Sequence, residues 1–401
     1  MAALPRTETP TTYGEHEAAM QAYLKAGQDR AFSLGNRGPI RFGPDGRIHP
    51  EILEAYWRCG FYVFENVLQA DELADIERDL KDILDRLPTH PGAAIDHKGR
   101  PALAADCKAS TLFWSKPLGD PAGGTSFANG RHPVKMFEPK AAETAPADIV
   151  YLILGTLQFS EAALRVYGHP GLLAMAAAVN GDDFVPFNEA FFIKEPGLGA
   201  SVAWHQDGVT HWNSPDWDEG SHGFNFMAQL YGCTPANGVW VVPGSHKAGK
   251  ADIRAMVAAS GSERLADAVP LVCAPGDVAI TNRQCVHGSF ANTSPDWRVT
   301  VNFGFHRRRS VLGVRSGGSL HGAPGVYDEA RIRERARMIG YGIDARRQRF
   351  PNEAPFSYTP HAQAGERWVW DDAARASIKD YNLLDLKIGR ASCRERVYHP
   401  V

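Results

Sequence analysis

His205, Gln206 and Asp207 form an H-x-D triplet, and His287, in His-Gly-Ser, stands 82 residues after the first histidine. Arg298 follows 11 positions beyond the second. Two imidazoles and one carboxylate are the donor set of the facial triad that holds non-haem Fe(II) and leaves three coordination positions open. Those positions suit a keto-acid cosubstrate and O2. The triplet alone is weak, because a chain with 15 histidines is expected to contain about one by chance. Its context is stronger: Val202–His205 reads as a strand, and a strand end aims residues 205 and 207 to the same side.

Downstream, Pro275-Gly276-Asp277 is a turn leading into a strand, and His287-Gly288-Ser289 lies shortly after it. Arg298 and Thr300 share one face of the next strand by its period of two. A guanidinium grips a carboxylate in a bidentate fork, and a nearby hydroxyl completes the grip. That arrangement suits the distal carboxylate of 2-oxoglutarate, whose keto group and C1 carboxylate would chelate the iron. His246, in Pro243-Gly-Ser-His, is weighed as a rival ligand, and Cys285 is read as a buried inert thiol.

The elements that must position these groups are short strands between turns: Phe187–Lys194, Val202–His205, Phe224–Tyr231, Gly238–Val242, Asp277–Thr281 and Arg298–Phe305. Their close spacing with Gly, Pro and Asn turns predicts a sandwich or barrel. Ahead of them, Gly60–Phe64 reads as a strand, and Asp71 to Leu87 as an amphipathic helix with acidic residues in its first turn. Residues 147–180 and 328–340 read as helical. Residues 1–47 are polar and rich in Gly and Pro and read as an extended N-terminal arm. Residues 89–140 read as a lid-like loop segment. Residues 48–387 are taken as one domain. The tail 388–401 resembles a translated sequencing adapter, is taken as non-native, and is set aside.

The 401 residues, 44% hydrophobic, can bury a large core. The net charge of −3 and the lack of a basic stretch with interleaved aromatics argue against a nucleic-acid partner. Six cysteines without a C-x-x-C pair suggest reduced thiols. With no signal pattern and no apolar run approaching 18 residues, the expectation is a cytoplasmic protein with no membrane partner.

Taken together, the chain resembles the phytanoyl-CoA dioxygenase family of Fe(II)/2-oxoglutarate-dependent oxygenases. The matching pieces, in family order over roughly residues 48–310, are Phe192-Ile-Lys194-Glu-Pro196-Gly197, Trp204-His-Gln-Asp207, Asn237-Gly238 through Pro243-Gly-Ser-His-Lys247, Pro275-Gly-Asp277, and His287-Gly-Ser289 with Arg298. The resemblance implies a mainly β fold with helical elaborations, a double-stranded β-helix (a jelly-roll, cupin-like barrel). It implies His205, Asp207 and His287 as iron ligands, and Arg298 with Ser289 as 2-oxoglutarate contacts. Lys135, in Val-Lys-Met-Phe-Glu-Pro, resembles an upstream lysine that also reaches the cosubstrate. Met227 and Ala190 depart from the family, standing where relatives have Trp and Met, which bears on the shape of the pocket.

The implied activity is hydroxylation of an unactivated C–H bond, using Fe(II), 2-oxoglutarate and O2 and releasing succinate and CO2. Asp207 argues against halogenation, because related halogenases replace this carboxylate with Ala or Gly. Phe192, His211 and Trp212 are candidate substrate contacts, and the aromatic content of 89–140 and 209–223 suggests a partly apolar small molecule. The competing readings are a non-catalytic barrel and a metal-binding cupin-like barrel independent of 2-oxoglutarate.

Overall fold

The computed structural model describes residues 11–207, 222–314 and 326–383. His211, Trp212 and the tail 388–401 lie outside the described residues. In chain order the strands are β1 (Arg37–Gly38), β2 (Phe61–Phe64), β3 (Leu112–Ser115), β4 (Ile149–Leu154), β5 (Val185–Lys194), β6 (Val202–His205), β7 (Gly223–Gln229), β8 (Trp240–Val241), β9 (Val269–Pro270), β10 (Val278–Asn282), β11 (His287–Ser289) and β12 (Arg298–His306). Eight of them form one sheet, ordered β1-β2-β10-β7-β12-β5-β4-β3, and the other four a smaller sheet, ordered β6-β11-β8-β9. The larger sheet opens with a parallel β1–β2 pair; its other pairs are antiparallel.

Strand alternation decides what each sheet faces. On β12, Val299, Val301, Phe303 and Phe305 join the main apolar core. They pack with Tyr167 of the helix Glu161–Tyr167, whose ring lies 5.4 and 5.2 Å from those of Phe303 and Phe305. Each such aromatic contributes roughly 2–3 kcal/mol by leaving water. Arg298, Thr300 and Asn302 therefore turn the other way, toward the small sheet. Hydrogen bonds cross that interior: Asn225 of β7 donates to Asp207, and Lys194 of β5 donates to the Phe290 carbonyl. The architecture is the expected double-stranded β-helix with helical elaborations.

Two expectations change. Residues 17–33, expected within an extended arm, form a helix, α1 (Glu17–Ser33). It buries Met20, Leu24, Gly27 and Ala31, spaced by four, three and four, and stacks Tyr23 on Trp240 of the small sheet at 4.5 Å. Its stripe holds only two large apolar side chains, too few to stand out among polar residues. Residues 147–180 are not wholly helical, because they begin with β4 and only then form the helix Glu161–Tyr167 and a following helix at Pro170–Asn180. Ile-Val-Tyr-Leu-Ile-Leu is buried throughout, and such a run reads equally as a buried helix or a central strand. The helix expected over 71–87 runs Ala70–Asp85, with a Gln69–Glu72 capping box. The helix expected over 328–340 runs Glu329–Arg349. Segment 89–140 is irregular apart from β3 and a short 3-10 turn at Phe127–Gly130.

Candidate metal centre

β6 and β11 are adjacent antiparallel strands, and His205 and His287 are direct partners across them. Their rings sit 4.1 Å apart between centroids. Just beyond this pair the register shifts: Ser289 pairs with Val202, so Ala203 and Trp204 oppose the single residue Gly288. Such a bulge lets both Ala203 and Trp204 join the outer apolar cluster while His205 faces inward. The chain then turns, and Asp207 is held by its amide donating to the Arg283 carbonyl at 2.8 Å.

Each imidazole has its Nδ1 at a backbone carbonyl two residues back, His205 at Ala203 (2.8 Å) and His287 at Cys285 (3.0 Å). A protonated Nδ1 donates there, which leaves the Nε2 lone pair free for a metal. Both Nε2 atoms face Asp207, at 3.4 Å from Oδ1 for His205 and 3.7 Å from Oδ2 for His287. One ligand atom from each of the three residues lies within 4.8 Å of the others, and all three are buried. Two neutral nitrogens and one carboxylate oxygen, converging with ring orientations fixed, fit a divalent iron.

The surroundings hold Asp207 and His287 in the protonation state that ligation needs. Burial pushes Asp207 up, but Arg283, the His205 contact, His287 and Arg131 outweigh it and hold the carboxyl well below the usual range. His287 is lowered to about 4, by burial first and then by His205. Arg131 Nη1 is 3.2 Å from Asp207 Oδ1, and Asn225 Nδ2 donates to Oδ2 at 2.5 Å. Arg283 donates to Asn225 Oδ1 and to the Asp207 carbonyl, both at 3.1 Å, so Asn225 is itself locked. His132, following Arg131, packs its ring 4.4 Å from that of His205.

Sequence reasoning missed these four supporting residues. Asn225 alone carried a signal, as a polar residue within Phe-Asn-Phe of an apolar strand. Arg131 and His132 come from the segment read as a lid, whose lack of periodicity hid which residues turn inward.

Of the expected cosubstrate contacts, Arg298, Ser289 and Thr300 are all buried. The Thr300 hydroxyl donates to Gln229 Oε1 at 2.9 Å. Lys135 is a correction. Its side chain is 56% exposed and paired with Glu138 at 2.9 Å, because the loop turns it to solvent. The buried lysine beside Arg298 is Lys194, its direct partner across β5 and β12. Phe192 pairs with Thr300 on the same strands, so both face inward. Met227 and Ala190 flank Asn302 in register, one on each side. His246 is a buried turn residue with Nε2 3.1 Å from the Trp57 carbonyl. The Cys285 thiol is pushed up to about 12 by burial, as an inert thiol should be.

Residues 56–300, more than half of the chain, match the family profile of phytanoyl-CoA dioxygenase (PhyH). The chain belongs to the phytanoyl-CoA dioxygenase family. A curated relative, phytanoyl-CoA dioxygenase 1 of Oryza sativa subsp. japonica, is 32% identical over 113 residues, a match spanning 26% of this chain and 38% of that protein. Similar solved structures include AviO1 from Streptomyces viridochromogenes Tue57, at 23% identity over 64% of this chain and 94% of that one, with a TM-score of 0.44. EctD from S. alaskensis with 2-oxoglutarate and 5-hydroxyectoine is 20% identical over 67% of this chain and 79% of that one, with a TM-score of 0.45. The family assignment rests on the match over residues 56–300, not on these distant structural likenesses.

Proposed function

We propose that this chain is an Fe(II)- and 2-oxoglutarate-dependent dioxygenase that hydroxylates an unactivated C–H bond of a small, partly apolar molecule. The observation that carries the reading is the buried convergence of His205, Asp207 and His287 with both Nδ1 atoms tied to carbonyls. Iron held there would supply O2 activation coupled to decarboxylation of the keto acid, one oxygen atom entering the substrate and the other succinate. The chain's own work is to keep His287 neutral and Asp207 ionised, to grip the distal carboxylate through Arg298 with Ser289 and Thr300, and to exclude water. Phe192 faces the same interior and is proposed to contact the substrate. The reading places the protein in the cytoplasm; among the described residues no helix is long and apolar enough to cross a membrane.

The test is anaerobic loading with Fe(II), followed by 2-oxoglutarate decay under O2. His205→Ala or Asp207→Ala should abolish turnover, and full turnover in either variant would reject the ligand assignment. Arg298→Ala should raise the KM for 2-oxoglutarate by about 10–100-fold, as loss of a charge-assisted contact predicts. An unchanged KM would remove Arg298 from the grip. Screening metabolites for products heavier by one oxygen atom would identify the substrate.

A further inference from the structure

Lys194 ends β5 and lies directly opposite Arg298, which begins β12. Directly opposed side chains leave an antiparallel pair on the same face, so both point into the interior. They are 3% and 2% exposed, and neither has a carboxylate within ion-pair distance among the described residues. The acidic group that acts on Lys194, Asp120, is itself occupied by the amides of Ala122, Gly123 and Met136. Two neighbouring buried cations are costly to hold without a counter-charge. Burial and Arg298 both push the Lys194 ammonium well below its ordinary range.

The placement of this pair is specific. Lys194 Nζ donates to the carbonyl of Phe290, the residue after Ser289. The ammonium therefore sits at the far end of β11 from the metal ligand His287. Only Gly288 lies between His287 and Ser289, so the two are two strand steps apart, about 7 Å, comparable to the length of a five-carbon dicarboxylate. We propose that Lys194 is the second cation of a two-cation receptor, with Arg298, for the distal carboxylate of a dicarboxylic keto acid. In this role it sets the charge the cosubstrate must carry. The inference rests on reading the chain as a 2-oxoglutarate oxygenase and adds a specificity residue to it. Arg298 supplies the planar fork, and Lys194 supplies a point charge from the neighbouring strand of the same sheet.

The experiment is anaerobic titration of the Fe(II)-loaded full chain with two keto acids, followed by the visible charge-transfer band. 2-Oxoglutarate is compared with 2-oxovalerate, which has five carbons and no distal carboxylate. Lys194→Met should weaken 2-oxoglutarate at least about tenfold and leave 2-oxovalerate unchanged. Lys194→Gln, which keeps a donor for the Phe290 carbonyl, should behave alike and decides the matter if the Met variant does not fold. Lys135→Met should bind both keto acids as the unaltered chain does. Without keto acid, the Lys194→Gln variant should melt no lower than the unaltered chain, since a buried charge has been removed.

Unchanged 2-oxoglutarate affinity in both Lys194 variants, or a parallel loss for both keto acids, would make Lys194 a structural residue and overturn the proposal. If the unaltered chain binds no 2-oxoglutarate, the proposed function itself falls, a result distinct from failure at Lys194.

Discussion

The Asp207 carboxylate of the proposed iron site is held from two sides. Asn225 occupies one oxygen and Arg131 approaches the other, while Arg283 fixes Asn225. Partners of this kind orient ligands, and their loss typically weakens metal binding by about 10–100-fold. Asn225→Leu should therefore weaken Fe(II) binding by that amount, with both histidines untouched; competition against a calibrated chelator measures it. Equal affinity in the variant would mean that the Asp207 orientation is set by its backbone alone. The three proposed ligands stand out in the sequence because their types are distinctive and Pro-Gly-Asp and His-Gly-Ser frame them. Their partners do not, since Arg131, Asn225 and Arg283 come from three separate segments that only the tertiary fold brings together.

Among elements, the small sheet depends on α1. Gly27 faces Trp240 so closely that an added Cβ would lie 2.3 Å from a ring atom. Gly27→Ala must push the helix or the indole aside, an overpacking that costs about 1–3 kcal/mol. Urea unfolding should show this loss, and a midpoint equal to that of the unaltered chain would mean that the helix shifts freely on the sheet. Strands whose alternation separates core from interior, such as β12, were readable in the sequence within a residue or so. The α1 and β4 misreadings have a shared cause. A helix with a thin apolar stripe and a strand buried on both faces lack the periodic contrast on which such reading depends.

Across the whole molecule, buried neutral histidines tie stability to pH. Burial, then Arg346, lowers His169 to about 3; it caps the helix at Pro170–Asn180 by accepting from the Gly171 and Leu172 amides. Burial lowers His246 to about 4. An unfolded histidine titrates near about 6.5, so the unfolded chain binds more protons between that value and the folded ones. Stability is thus complete above about pH 6.5 and declines as pH falls toward 4, with each histidine contributing on the order of 2 kcal/mol. Melting temperature followed from pH 7 to pH 4.5 should fall, and His246→Asn should flatten part of the slope. A level profile would show that these side chains take up protons without opposing the fold.

The His205–His287 pairing carries a further consequence. Because neighbouring residues on a strand face opposite sides, slipping β6 against β11 by one position would send one imidazole outward and dismantle the donor set. The bulge of Ala203 and Trp204 opposite Gly288 makes that slip harder. A metal at the proposed site would therefore act as a checksum on the small sheet: only a correctly zipped chain would retain it. Cofactor loading would then do the work of quality control, separating molecules folded in register from those that are merely collapsed.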